Sequence, residues 1–140
     1  MDSSTSRRGA LPLSAAVRYE LYVTAVLDFL LGLAFLFGPE LQLPLWPTPV
    51  PPLLARFIGS IVLANGVGLV VAARQGTWEG ARVIFAVGLS YGVVILAALL
   101  YHLLLAGAPA VFWGYTAADT VFVVGVGYLT WRYEGRYRGD

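Results

Sequence analysis

Four apolar runs, each about the length of a membrane-spanning helix, account for most of this 140-residue chain. They lie near residues 19–37, 54–73, 83–105 and 110–131. A helix needs roughly 20 largely apolar residues to cross the hydrocarbon core, where its own hydrogen bonds satisfy the backbone. The composition agrees, since 59% of the residues are hydrophobic and only 12% are charged. The sequence therefore predicts an all-α protein that forms a four-helix bundle integral to a membrane.

Short connections predict how these helices are arranged. The second and third runs are joined by residues 75–80, and the third and fourth by residues 106–109. Connections of this length make consecutive helices antiparallel neighbours. The predicted transmembrane domain covers residues 17–133, between a flexible tail over residues 1–16 and a second tail over residues 134–140.

The connection between the first and second runs contains six prolines within residues 39–52. Proline fixes φ and has no N–H, so a stiff, extended segment is predicted here. Its leucines and Trp46 indicate that it lies on the membrane surface or caps the bundle. The other tryptophans, Trp78, Trp113 and Trp131, also fall at predicted membrane interfaces. Tryptophan is enriched at such interfaces, so its distribution supports the assignment of the spans.

All nine basic residues are arginines, and eight of them lie on one side of the four-span arrangement. Arginine near span ends is retained on the cytoplasmic side of a membrane. The sequence therefore predicts that both termini and the middle connection are cytoplasmic, in a cell inner membrane. Arg56 alone lies on the opposite side. The eight are Arg7, Arg8, Arg18, Arg74, Arg82, Arg132, Arg136 and Arg138.

Composition excludes several classes of function. The net charge is only +1, and the arginines lie at span ends rather than on an exposed basic face, which argues against nucleic-acid binding. The absence of cysteine excludes disulfides, thiol redox chemistry and thiolate metal sites. Since His102 is the single histidine, one chain cannot provide a two-histidine haem site or a histidine cluster. No metal site is predicted, and a haem shared across a dimer stays open.

Residues 88–92 match the G-x-S-x-G pattern of serine hydrolases. That pattern acts at a strand-to-helix turn, whereas this segment lies inside a predicted helix. Ser90 and His102 would also be about 18 Å apart along that helix, at 1.5 Å per residue, so they cannot form a nucleophile and base pair. No catalytic set is recognisable, and small residues at these positions predict close helix packing instead. The glycines assigned to helix packing are Gly66, Gly88, Gly92 and Gly125.

Two aspartates lie inside predicted spans. Asp28 and Asp119 are each nine residues after the start of the first and fourth runs, which enter the membrane from opposite sides, and this predicts a similar depth near the midplane. An ionisable group in hydrocarbon costs about 2.5–3.5 kcal/mol, so each should face the protein interior and have a partner. The two carboxyls either share a proton or a cation, or bond separately to backbone or hydroxyl groups. The hydroxyls considered are those of Thr24, Tyr115 and Thr116.

Three further residues complete the candidate ligand or proton site, together with Asp28 and Asp119. Arg56 lies near the outer end of the second run, where its guanidinium either reaches outward or bends toward an aspartate. His102 lies near the outer end of the third run, on a stripe predicted to pack inward, and is a polar interfacial residue or a proton relay. The third residue is Tyr115, which is also a candidate for binding a ligand or a proton.

The order of features resembles the DoxX-like group of small bacterial four-helix membrane proteins. The residues that carry the resemblance are Gly32 with Gly38-Pro39, the segment Ala55-Arg56-Phe57-Ile58-Gly59, and Asn65-Gly66. It covers the first two spans best and is compositional in the other two. The resemblance implies the fold and, for some members, an association with quinone-linked or redox assemblies. It supplies no catalytic motif.

Two functions are predicted. The first is a structural or accessory subunit, or an assembly factor, that docks to a membrane protein partner or to a second copy through its glycine-bearing faces. The second is a site for a small lipophilic ligand, a quinone or a proton, using Asp28, Asp119 and Arg56. The chain is also similar to small multidrug exporters, which are four-span proteins with a carboxylate in the first span, like Asp28. Those that assemble as antiparallel dimers need little charge bias, whereas the eight-to-one distribution of arginines here fixes one orientation and argues against such a dimer. No cofactor is encoded by a recognisable motif.

Overall fold

The computed structural model describes residues 10–38 and 50–139. Within these residues the chain is all-helical, with four α-helices and no named strand, which confirms that the protein is all-α. The proline-rich connection and Trp46 lie outside the described residues. The helices are α1 (Ala15–Phe37), α2 (Pro52–Gln75), α3 (Trp78–Leu104) and α4 (Phe112–Arg138).

Three of these helices, α1, α2 and α3, are long and apolar enough to cross a membrane, which indicates a membrane protein. Helix α4 has the length, with 27 residues, but is not among the candidate spans. Its first half carries Asp119 and several threonine, glycine and tyrosine residues, and its last turns carry arginines. The sequence-based prediction of four spans is therefore supported for three helices.

Helices α2 and α3 are joined more tightly than predicted. Only Gly76 and Thr77 separate them, so α3 starts at Trp78 instead of near residue 83. Gly76 ends α2 in the left-handed region at φ 65°, which glycine adopts without a Cβ penalty. The Thr77 side chain accepts a hydrogen bond from Gly80 N and caps α3. This two-residue turn makes α2 and α3 antiparallel.

Helices α1 and α2 approach closely at a pair of glycines. A Cβ added at Gly59 would lie 2.7 Å from the carbonyl oxygen of Gly32, and one at Gly32 would lie 2.6 Å from Leu63 Cγ. Further along the same interface, a Cβ at Gly66 would lie 3.2 Å from Asp28 Cβ. Small residues thus allow the two backbones to pack against each other.

The glycines of α3 and α4 that were predicted to allow close helix packing differ in how near the neighbouring helix lies. A Cβ at Gly92 would lie 2.7 Å from Val123 Cγ2, so α4 packs closely there. One at Gly88 would meet the Phe122 ring at an ordinary contact distance of 3.5 Å, and one at Gly125 would meet nothing within 4 Å. Gly125 therefore does not lie at a close helix contact among the described residues.

The helices pack in chain order, α1 on α2, α2 on α3 and α3 on α4. No Cα atoms of α1 and α4 lie within 8 Å of each other in the described part of the chain. The first and last helices are therefore separated along one side of the molecule. We call the end with the α2–α3 turn the terminal end, and the end with residues 105–111 the loop end.

The segment before α1 is held at the terminal end. Leu13 N donates to Gly76 O at 2.9 Å, and Trp78 N donates to Leu11 O at 2.8 Å. Ser14 N donates to the hydroxyl of Tyr133 at 3.0 Å, which ties the start of α1 to α4. Residues 10–14, which the sequence analysis assigned to a flexible tail, are thus anchored, and α1 begins at Ala15. Residues 1–9 lie outside the described residues.

Trp78 forms the centre of the terminal end. Its side chain is 1% exposed, stacks on the Tyr133 ring at 5.4 Å and meets the Phe85 ring edge-on at 5.3 Å. Its Nε1 donates to Glu134 Oε2 at 2.9 Å. The structure thus places Trp78 inside the protein and not at the lipid-facing interface that the aromatic pattern suggested. Trp113 and Trp131 are at least half exposed.

Glu134 connects Trp78 to two arginines. Its Oε1 accepts from Arg82 at 3.3 Å and from Arg138 at 3.2 Å. The hydrogen bond from Trp78, the one from Arg138 and the positive charges of Arg82 and Arg138 together hold the pKa of Glu134 below its usual range. Helix α4 therefore continues beyond the predicted span, because its last turns carry the contacts that hold the terminal end together. We call the contacts of Glu134 with Trp78, Arg82 and Arg138 the lock.

Acid should weaken this lock. A carboxyl whose pKa is lowered on folding contributes stability above its unfolded pKa, and this contribution is lost as the pH falls through the lower folded value. We expect the melting temperature of the wild type to fall more steeply than that of Glu134→Gln between about pH 5 and pH 3. Glu20→Gln, on an exposed carboxyl outside the lock, should keep the wild-type slope. Equal slopes for the wild type and Glu134→Gln would contradict this role.

Candidate functional site

A cavity of about 290 Å³ lies between the four helices, in the half of the molecule nearer the terminal end. All four helices line it, and most lining side chains are apolar, including Leu21, Leu69 and Phe85. Its polar lining residues are Glu20 and Thr24 of α1 and Asn65 of α2. A largely apolar pocket with a few polar groups is typical of small-molecule sites.

The cavity exists because α1 and α4 are separated and because small residues line α3 and α4. Gly88 and Gly125 contribute no side chain to fill the space. The wall of α4 is also accessible from outside the protein, since the lining residue Val121 is 73% exposed. The two lining helices α1 and α4 have no Cα atoms within 8 Å of each other among the described residues, so no close packing of these helices closes the cavity between them.

A polar pair lies beside the cavity. Asn65 Nδ2 donates to Asp28 Oδ2 at 2.7 Å, and both side chains are half-buried. Gly66 allows this contact, because a larger residue would crowd the Asp28 side chain. The partner of Asp28 is thus the Asn65 amide and not one of the hydroxyls considered from the sequence. The sequence carried a signal for it, since Asp28 and Asn65 lie at matching depths in antiparallel runs.

Asp119 has a different environment. Its Oδ2 is buried and has no hydrogen-bond partner among the described residues. The hydroxyl of Thr116 bonds within α4, to Phe112 O at 2.9 Å. Asp28 bonds to Asn65, and no Cα atoms of α1 and α4 lie within 8 Å of each other among the described residues, so the Cα atoms of the two aspartates are more than 8 Å apart.

The remaining predicted site residues lie toward the loop end. Arg56 is exposed and its Nε donates to Leu36 O at 3.4 Å, at the end of α1. His102 is exposed, and its Nδ1 lies 2.8 Å from Ala98 O of its own helix. The Tyr115 ring packs at 5.8 Å from the Phe112 ring. None of the three lines the cavity, and their role in ligand or proton binding stays a prediction.

Sequence reasoning did not single out the residues that give the cavity its chemistry. Glu20 was read as part of the start of the first span, Asn65 entered only through the family resemblance, and Gly125 was assigned to packing. The described residues also contain no group of three or more His, Cys, Asp or Glu side chains that could hold a metal ion.

Comparison with protein-family models, curated proteins and solved structures gives no significant match. The resemblance to the DoxX-like group accordingly stays a prediction from the residues that carry it.

The two aspartates should respond differently to substitution. Asp28→Leu leaves the Asn65 amide without its partner, which costs about 1–3 kcal/mol for a half-buried polar group. Asp119→Leu removes a carboxyl oxygen that has no partner among the described residues, so it should leave stability unchanged or raise it. Thermal unfolding in mild detergent should rank Asp28→Leu below the wild type and Asp119→Leu at or above it. The reverse order would show that Asp119 is the aspartate that stabilises the isolated protein.

Proposed function

We propose that this protein is a four-span integral membrane protein that binds a small lipophilic molecule in the cavity between its helices. The observation that carries the proposal is the cavity itself, an apolar space that opens toward lipid between α1 and α4 and has a polar pair, Asp28 and Asn65, beside it. A lipid-soluble compound, such as a quinone or a lipid, can enter by this side without passing through water.

In this proposal α4 is the fourth span. It packs antiparallel to α3, and it exposes Val124 and Tyr128 on its outer surface, where lipid would cover them. Of its two polar features, the last arginine-bearing turns lie beyond the span, and Asp119 is a half-buried residue within it.

The terminal end is then the cytoplasmic end, in a bacterial-type inner membrane. Of the seven arginines among the described residues, six lie at the terminal end and only Arg56 lies toward the loop end. Such a bias is typical of cytoplasmic span ends. The six are Arg18, Arg74, Arg82, Arg132, Arg136 and Arg138.

The orientation can be tested cleanly because the chain has no cysteine. In intact spheroplasts, an impermeant maleimide should label Gly107→Cys at the loop end but not Gly139→Cys at the terminal end. After permeabilisation, both should be labelled, while the cysteine-free wild type gives the background. Labelling of Gly139→Cys in intact spheroplasts would refute the proposed orientation.

Ligand binding can be tested by filling the cavity. Gly125→Leu adds a side chain where a Cβ meets no atom within 4 Å, so it should occupy the cavity without disrupting helix packing. Gly114→Leu is the matched control, since Gly114 is on the same helix, has equally open surroundings and does not line the cavity. Mass spectrometry of natively purified protein should find a lipophilic molecule bound to the wild type and Gly114→Leu, and lose it in Gly125→Leu. Equal small-molecule content in all three proteins would refute a ligand in this cavity.

Asp119 favours a second candidate function, that of an accessory subunit. Asp119 is only half-buried and its Oδ2 has no hydrogen-bond partner among the described residues, so a second membrane protein that packs on this part of α4, the least apolar helix, would supply one. The same purification tests it, because a protein partner should remain bound to Gly125→Leu and be lost from Asp119→Leu. Loss of the partner in Gly125→Leu alone would instead link assembly to the cavity.

A further inference from the structure

We infer that the cavity selects a lipophilic cation, an apolar molecule that carries an ammonium group, and holds that group at Glu20. The inference rests on the proposed ligand-binding function and specifies the chemical class of the ligand. It follows from the charges that line the cavity, from the aromatic rings beside them and from the position of Glu20 at the entrance.

Glu20 is the one charged side chain among the described residues that line the cavity. No arginine lines it, although the terminal end is rich in arginine. The nearest basic residue in sequence, Arg18, is directed to α2, where its Nε donates to Ala73 O at 3.1 Å. The ion pairs of the described residues join Glu134 to Arg82 and Arg138, so none of them neutralises Glu20.

The other polar groups of the cavity are also suited to a ligand that donates a hydrogen bond or carries a positive charge. The hydroxyl of Thr24 lies one helical turn from Glu20 on α1, and its oxygen can accept a hydrogen bond. Asn65 uses its amide nitrogen as a donor to Asp28, which places a second acidic residue directly behind this wall. A ligand that carries an anionic group would meet acidic residues here and no basic partner. A quinone, whose carbonyl oxygens are acceptors, is matched less well than an amine.

Aromatic rings complete the surroundings of a cation. Phe85 of α3 and Phe122 of α4 both line the cavity. A cation near an aromatic face is attracted by its quadrupole, by about 0.5–2 kcal/mol depending on how far it is desolvated. The rings also accommodate the apolar body of the same ligand, so head and body are recognised together.

Glu20 is placed where a ligand from the membrane would present its charge. It is exposed, and it lies in the second turn of α1, roughly 8 Å along the helix from Ala15 at 1.5 Å per residue. In the proposed orientation this is the headgroup level of the cytoplasmic leaflet. An amphiphile can then enter between α1 and α4, with its ammonium at Glu20 and its body in the cavity.

The test compares two probes of nearly equal size, 4-phenylbutylamine and its uncharged isostere 4-phenylbutanol. Equilibrium dialysis against protein in nanodiscs, with empty nanodiscs subtracted, measures the affinity of each. The wild type should bind the amine at least about tenfold more tightly than the alcohol, because a carboxylate at contact distance attracts the ammonium strongly in a partly apolar site. Glu20→Gln should remove this preference, and Glu79→Gln should keep it, since Glu79 is at the same end and does not line the cavity. Melting temperatures establish that both variants fold.

The source of the ammonium group is distinguished by lipid analysis of the same preparations. Phosphatidylethanolamine retained by the wild type and lost from Glu20→Gln would identify a lipid headgroup as the occupant, with its ammonium at Glu20 and its phosphate outside the cavity. Amine binding without retained phosphatidylethanolamine would identify a separate lipophilic amine, and either result supports the inference.

An equal affinity of the wild type for the two probes, or an amine preference that survives in Glu20→Gln, would overturn it. If Gly125→Leu then abolished binding of both probes, the cavity would still be a ligand site and only the charge class would be wrong. If neither probe bound and small-molecule content were equal in the wild type, Gly114→Leu and Gly125→Leu, the ligand-binding function would fail as well.

Discussion

The buried contact of Trp78 with Tyr133 and Glu134 is the interaction on which the arrangement of this molecule depends. Helices α1 and α2 form one antiparallel pair and α3 and α4 another, and Trp78 lies at the turn that joins them. Its ring stacks on α4 while the backbone beside it pairs with the segment before α1. Truncating a buried aromatic residue of this size costs about 3–5 kcal/mol. The segment before α1 and the last turns of α4 are therefore both held against the same turn.

Closure at the terminal end gives the cavity its shape. With Ser14 bonded to Tyr133, α1 and α4 are joined at that end, yet their Cα atoms stay more than 8 Å apart along the described helices. The lock closes the space between them at the terminal end, and α2 and α3 form its side walls. Under the proposed function, a closed terminal end leaves the gap between α1 and α4 as the route by which a membrane-soluble molecule enters.

Glycine has two opposite uses in this structure. At Gly59 and Gly92 an added Cβ would lie within 3 Å of a neighbouring helix, so the missing side chain lets helices touch. At Gly125 an added Cβ would meet nothing within 4 Å, so the missing side chain leaves volume. Both uses look the same in a sequence, because each is a small residue in an apolar helix. Which helix faces each glycine decides between packing and ligand space.

The sequence by itself determined the helical class, the approximate position of all four helices and three apolar spans, because apolar length and glycine or proline at the ends are local properties. It also marked Asp28 as a residue in need of a partner. Only the tertiary structure decided that this partner is Asn65, that Trp78 is buried instead of lying at an interface, and that Glu20 lines a cavity. These outcomes depend on which faces of distant helices meet. Apolar residues occupy almost every face of α1, α2 and α3, so the periodicity of the sequence does not reveal those faces.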